Sequence, residues 1–150
     1  TTVQPSEFTA TWTGWHNASV KEKSENLVDI SVLAYPYDLD ISTGLPVYRP
    51  DSAIIRTVTT APIDVAGLTQ VTLTYSSTVT NTLFIYSIFN NDTLIERVAN
   101  KSSGYTISLN GANKLYLCFY NPNNSVTTDN LSDIMLNTGS TALPYEPYWK

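Results

Sequence analysis

The sequence predicts an all-β protein, a jelly-roll β-sandwich of two antiparallel sheets. Three observations lead there. Short runs of alternating or wholly apolar residues recur from end to end, separated by polar turn clusters. No stretch keeps a helical period over ten residues with caps at both ends. The composition leans to Tyr and Thr, residues that fit a pleated surface, with ten Tyr against four Phe.

In chain order, EFTATW (7–12), NLVDISVLAY (26–35) and AIIRTVTT (53–60) read as strands, while VKEKSENL (20–27) offers one helical turn or a charged loop. VTLTY (71–75) sets Val71, Leu73 and Tyr75 against Thr72 and Thr74, the signature of a half-buried strand. YTISL (105–109) repeats it with Tyr105, Ile107 and Leu109 facing one way. LFIYSIF (83–89) and KLYLCFY (114–120) are apolar on both faces, so they are expected to be central and covered on two sides. Asn90, Asn91 and Asp92 should fold the first of these back on 94–98 as a hairpin. SDIMLN (132–137) completes about nine or ten strands. The longest break, PYDLDISTGLPVYRP (36–50), is too aromatic for disorder and reads as a functional loop.

One hundred and fifty residues suit a single domain, 1–150, with 143–150 as an exit segment or linker. The lone Cys118 excludes an internal disulfide, and one His with one Cys excludes the His/Cys zinc patterns. A net charge of −5, with Lys and Arg scattered, argues against nucleic acid. No window approaches the apolar length of a membrane helix, and no export signal is legible, so no membrane insertion is expected.

Catalytic patterns are thin. His16 is the single histidine and no nucleophile elbow or phosphate loop accompanies it. Asp38 and Asp40 point the same way on an extended segment and form the closest carboxylate pair, the minimum for a glycosidase; loop aspartates more often bond turn amides, and the expectation is that the chain is not an enzyme. No cofactor is expected, although Asp38, Asp40 and Asp51 could supply a structural calcium site.

Sugar recognition needs aromatic faces against C–H surfaces and planar polar groups for hydroxyls. Those residue types gather twice. TWTGWHN holds Trp12, Trp15, His16 and Asn17; Trp12 shares the register of Phe8 and belongs in the core, whereas Trp15 follows Gly14 and leaves it. The second group is Tyr35, Tyr37, Asp38, Tyr48 and Arg49 in and beside the long loop, where Pro36 lowers the entropy lost on binding. The candidate ligand-binding set is therefore Trp15, His16, Tyr35, Tyr37, Asp38, Tyr48 and Arg49. Tyr116, Cys118 and Tyr120 share one strand face, either a tyrosine platform or, as preferred here, a second buried layer.

The C-terminal run SDIMLNTGSTALPYEPYWK resembles the closing strand and exit segment of β-sandwich modules in tail and baseplate proteins of phages that infect Gram-positive bacteria, in which a run like IMLN-x-GSTALPYEPY recurs. TVTTAPIDVAGLTQVTLTY (57–75) is similar to the same modules, and together the stretches span about a quarter of the chain. The resemblance implies a galactose-binding-like fold and a role in holding host cell-wall polysaccharide or exopolysaccharide, in company with other tail proteins, on the extracellular virion tail. It transfers no ligand-contacting residue. The expected function is non-catalytic host recognition; the alternatives are a structural spacer without a ligand and a glycan-degrading enzyme.

Overall fold

Two strands organise the molecule, and both are apolar on both faces. In β7 (Leu83–Asn90), Phe84, Tyr86 and Ile88 point to one side and Ile85 to the other; in β10 (Lys114–Tyr120), Leu115, Leu117 and Phe119 oppose Tyr116, Cys118 and Tyr120. The two pair antiparallel along the whole of β10, from Lys114 opposite Phe89 to Tyr120 opposite Leu83. Strands with no polar face need cover on both sides, and the remaining elements supply it.

This computed structural model describes residues 23–149. EFTATW (7–12) lies outside them. The described chain is all-β, with antiparallel sheets and two short 3-10 turns, Ile30–Val32 and Thr128–Asn130. Besides β7 and β10, the strands are β1 (Leu33–Ala34), β2 (Tyr37–Leu39), β3 (Pro46–Tyr48), β4 (Thr57–Thr59), β5 (Ile63–Asp64), β6 (Gln70–Ser77), β8 (Thr93–Lys101), β9 (Thr106–Ser108) and β11 (Leu131–Thr138). The large sheet runs β1-β4-β10-β7-β8, with β5 also on β10; a second sheet runs β11-β6-β9; β2 and β3 form a third sheet of their own.

The main core lies between the large and second sheets. Val71 and Leu73 of β6, Ile107 of β9 and Ile134 and Leu136 of β11 meet Phe84, Ile88, Leu115, Leu117 and Phe119. Each such side chain contributes about 2 kcal/mol by leaving water. On the outer face of the large sheet, Leu39 of β2 and Val58 of β4 pack with Ile85, Phe89, Tyr116, Cys118 and Tyr120. The tyrosine face of β10 is thus a second buried layer, roofed by the β2–β3 hairpin.

Three expectations require correction. The break at 36–50 is a hairpin, with Tyr37 opposite Tyr48 and Leu39 opposite Pro46, and it adds a third sheet to the two expected. Within 26–35 only β1 is strand, because the Asp29 carboxylate accepts from Ser31 N at 3.0 Å and caps a 3-10 turn. In 53–60 the strand begins only at Thr57, since Ile55 N is taken by Ser125 Oγ at 2.8 Å. Residues 23–27 are not helical.

The C-terminal segment folds back on the sheets. Asn137 Nδ2 donates to Thr141 O at 2.8 Å and its Oδ1 accepts from Leu143 N at 3.1 Å. Asn26, 2% exposed, donates to Ile134 O at 2.8 Å and Glu146 O at 3.0 Å, and accepts from Val28 N and Leu136 N. Ser24 Oγ donates to Pro147 O at 2.6 Å. The stiff, aromatic ending is therefore bonded to residues 24–26.

Candidate functional site

The hairpin that roofs the large sheet also carries the exposed aromatic surface. Directly opposed residues on paired strands share a face, so Tyr37 and Tyr48 stand together, ring centroids 5.4 Å apart and tilted by 53°. Tyr37 rests partly on the second core cluster, while Tyr48 is 58% exposed. The hairpin is fixed from below. Arg97 Nε and Nη2 both donate to Leu39 O, at 3.1 and 2.9 Å, and Ser87 Oγ donates to Gly44 O at 2.6 Å.

At the base of the hairpin lies a cleft of about 350 Å³, lined by Pro36, Tyr37, Asp38 and Arg49 on one side and by Ser52, Ile54, Arg56 and Asn121 on the other. Backbone bonds hold its walls in register: Tyr37 N donates to Arg56 O at 3.2 Å and Arg49 N to Pro36 O at 2.9 Å. The peptide between Tyr35 and Pro36 is cis. Across the floor, Arg56 Nη1 donates to Asp38 Oδ1 at 3.0 Å, and the Arg56 guanidinium lies 4.7 Å above the centre of the Tyr120 ring. The Tyr120 hydroxyl in turn donates to Asn100 Oδ1.

Asp38 Oδ1 also accepts from Leu39 N at 2.8 Å and lies 3.9 Å from the Cys118 sulfur. Burial pushes the Cys118 thiol up to about 12, the nearby Asp38 charge adding to the effect. Cys118 is an inert packing residue rather than a nucleophile.

Of the expected ligand set, Tyr37, Asp38 and Arg49 line the cleft, and Tyr48 stands beside it on Tyr37. Tyr35 is 42% exposed but does not line it. Trp15 and His16, with Trp12 and Asn17, lie outside the described residues. Asp40 belongs elsewhere: its Oδ1 accepts from Ser42 N at 3.2 Å in the hairpin turn, so the Asp38–Asp40 pair does not face across the cleft. Among the described residues no group of three or more His, Cys, Asp or Glu converges as a metal site.

Two contributors escaped the sequence reading. Arg56 sits inside a run that reads as a strand, and its signal is that it is the only charge between Ala53 and Thr60. Asn121 follows β10 and is spent on structure: its Nδ2 donates to Thr80 O and Asn81 O, and its Oδ1 accepts from Asn123 N and Asn124 N. It shapes the wall but has little left to offer a ligand.

A larger cavity, about 870 Å³, lies elsewhere, between Lys23, Asn26, Asp29, Ile63 and Asp64 and the terminal Tyr148 and Trp149. Both cavities set aromatic rings beside planar polar groups, the combination that recognises a sugar, and the smaller cleft at the hairpin differs in adding the two guanidinium groups of Arg49 and Arg56. No helix among the described residues is long and apolar enough to cross a membrane. Comparison with family models, curated proteins and solved structures gives no match to this chain.

Proposed function

We propose that this domain is a non-catalytic carbohydrate-binding module of a phage tail or baseplate protein, holding host cell-wall polysaccharide or exopolysaccharide during adsorption. The observation that carries the reading is the Tyr37–Tyr48 pair standing at the lip of a cleft floored by the Asp38–Arg56 ion pair. A pyranose laid on the exposed Tyr48 ring would present its hydroxyls to that polar floor. The resemblance of 132–150 and 57–75 to phage tail modules supports the setting: an extracellular virion tail, with other tail proteins as neighbours. The finer fold proposed is the galactose-binding-like jelly roll, for which the support is the large sheet β1-β4-β10-β7-β8 packed across a core from β11-β6-β9.

Adhesion needs no catalytic group, and the proposal assigns none. A shallow cleft on a polar ligand buries little apolar area, so a single site binds weakly, and repetition around a symmetric tail raises effective affinity by about 10²-fold or more. The test is whole-cell binding of the fluorescent, tetramerised domain to Gram-positive strains. Binding competed by free wall polysaccharide and lost in Tyr48→Ala is the expected result. Tyr48 is the better target than Tyr37 because its exposure leaves folding intact.

A second reading, a spacer between tail proteins, draws on Ile41, which is 78% exposed at the hairpin tip. It predicts no cell binding in any strain, even by the tetramer.

A further inference from the structure

The hydrogen-bonding inventory of the cleft is lopsided. Two of the chain's three arginines, Arg49 and Arg56, line it, in a protein of net charge −5. The third, Arg97, is used up on Leu39 O. Arg56 spends one nitrogen, Nη1, on Asp38. Among the described residues no acceptor takes its Nε or Nη2, nor any side-chain nitrogen of Arg49, which is exposed. Each guanidinium has five N–H donors and accepts nothing.

Acceptors on the lining are mostly committed. Asn121 Oδ1 serves two backbone amides and Asp38 Oδ1 serves Leu39 N and Arg56, while Ser52 Oγ spends its proton on Ile54 O at 2.8 Å and keeps its lone pairs. Asp38 Oδ2 remains as the one uncommitted carboxylate oxygen of the lining. With Arg49 and Arg56 against Asp38, the lining carries one more positive than negative charge.

A neutral sugar offers hydroxyls that donate as readily as they accept, and it would leave most of these N–H groups facing no oxyanion. A planar guanidinium fork matches a carboxylate or phosphate, to which it bonds about twice as strongly as to a neutral oxygen. We infer that the cleft takes an acidic saccharide, one bearing a carboxylate or a phosphate ester, with the oxyanion between Arg49 and Arg56, a hydroxyl on Asp38 Oδ2, and a ring face toward Tyr37 and Tyr48. This rests on the adhesion reading above and narrows its ligand class.

The experiment observes the arginine Nε–H signals of the isotopically labelled domain by NMR during titration with glucose, glucuronic acid and glucose 6-phosphate. Saturable shifts at Arg49 and Arg56, with Arg97 unmoved, are expected for at least one acidic sugar, about tenfold or more below the glucose midpoint. The acidic sugar that acts separates a carboxylate from a phosphate ligand. The shifts should weaken with added NaCl, vanish in Arg49→Gln and survive in part in Arg49→Lys. Equal response to all three sugars, or none at either arginine, overturns the inference. Whole-cell binding by the tetramer separates this from the parent reading. Cells bound through Tyr48 but indifferent to Arg49→Gln leave adhesion standing and remove the acidic ligand; absence of cell binding removes both.

Discussion

Single residues fix this molecule where polar groups are buried. Asn26 satisfies all its side-chain partners at once, joining β11, the segment before β1 and the C-terminal run. Asn26→Ala leaves two carbonyls and two amides without it in a dry site, and should cost about 2–4 kcal/mol by urea denaturation. Cys118 makes a different prediction. Its thiol is raised from 9.0 to about 12 by burial, so the folded chain keeps a proton that the unfolded chain gives up. That contribution is fully present below pH 9 and is lost as pH rises toward 12. The hydroxyls of the half-buried Tyr75 and the buried Tyr86, also raised mainly by loss of water, add to the same decline from above their ordinary value of 10.0. Urea midpoints for the wild type should therefore fall as pH is raised past 9, and Cys118→Ala should remove the earliest part of the fall. A thiol reagent should label the native protein only as fast as it opens.

At the scale of elements, the β2–β3 hairpin decides whether there is a site. Gly44 turns it, with φ +70, and a Cβ there would stand 2.6 Å from Leu94 Cδ1 and 3.2 Å from the Phe89 ring. Gly44→Ala combines a strained conformation with a clash, and should cost about 1–3 kcal/mol; the near-ultraviolet tyrosine signal should change as the Tyr37–Tyr48 pair loosens. The legibility of the elements follows the same logic. β7 and β10 announce themselves as runs apolar on both faces, β6 by its alternation, and the turn at Asn91 because Asn tolerates φ +55. The hairpin did not, since its two strands have only three residues each, YDL and PVY, and are held where β7, β8 and β10 offer them a surface. Tyr37, Asp38, Tyr48 and Arg49 could be nominated from type and proximity in sequence. Arg56 could not, because it reaches the cleft from the next segment, and Tyr35, equally suitable by type, lies away from the lining.

For the whole molecule, the large sheet serves two masters, closing the main core on one face and supporting the hairpin on the other. The proposed adhesion through so small a cleft would require multiplicity: tetramerising the domain should raise apparent affinity for cells by about 10²-fold or more, measured as the half-saturating concentration in flow cytometry. The central claim is that saccharide is held at the hairpin cleft. Its most direct test is amide chemical-shift mapping of the isotopically labelled domain with polysaccharide fragments released from cells that it binds. The account predicts perturbations gathered at Tyr37, Asp38, Tyr48, Arg49 and Arg56; perturbations gathered instead around Tyr148 and Trp149, or none, would contradict it.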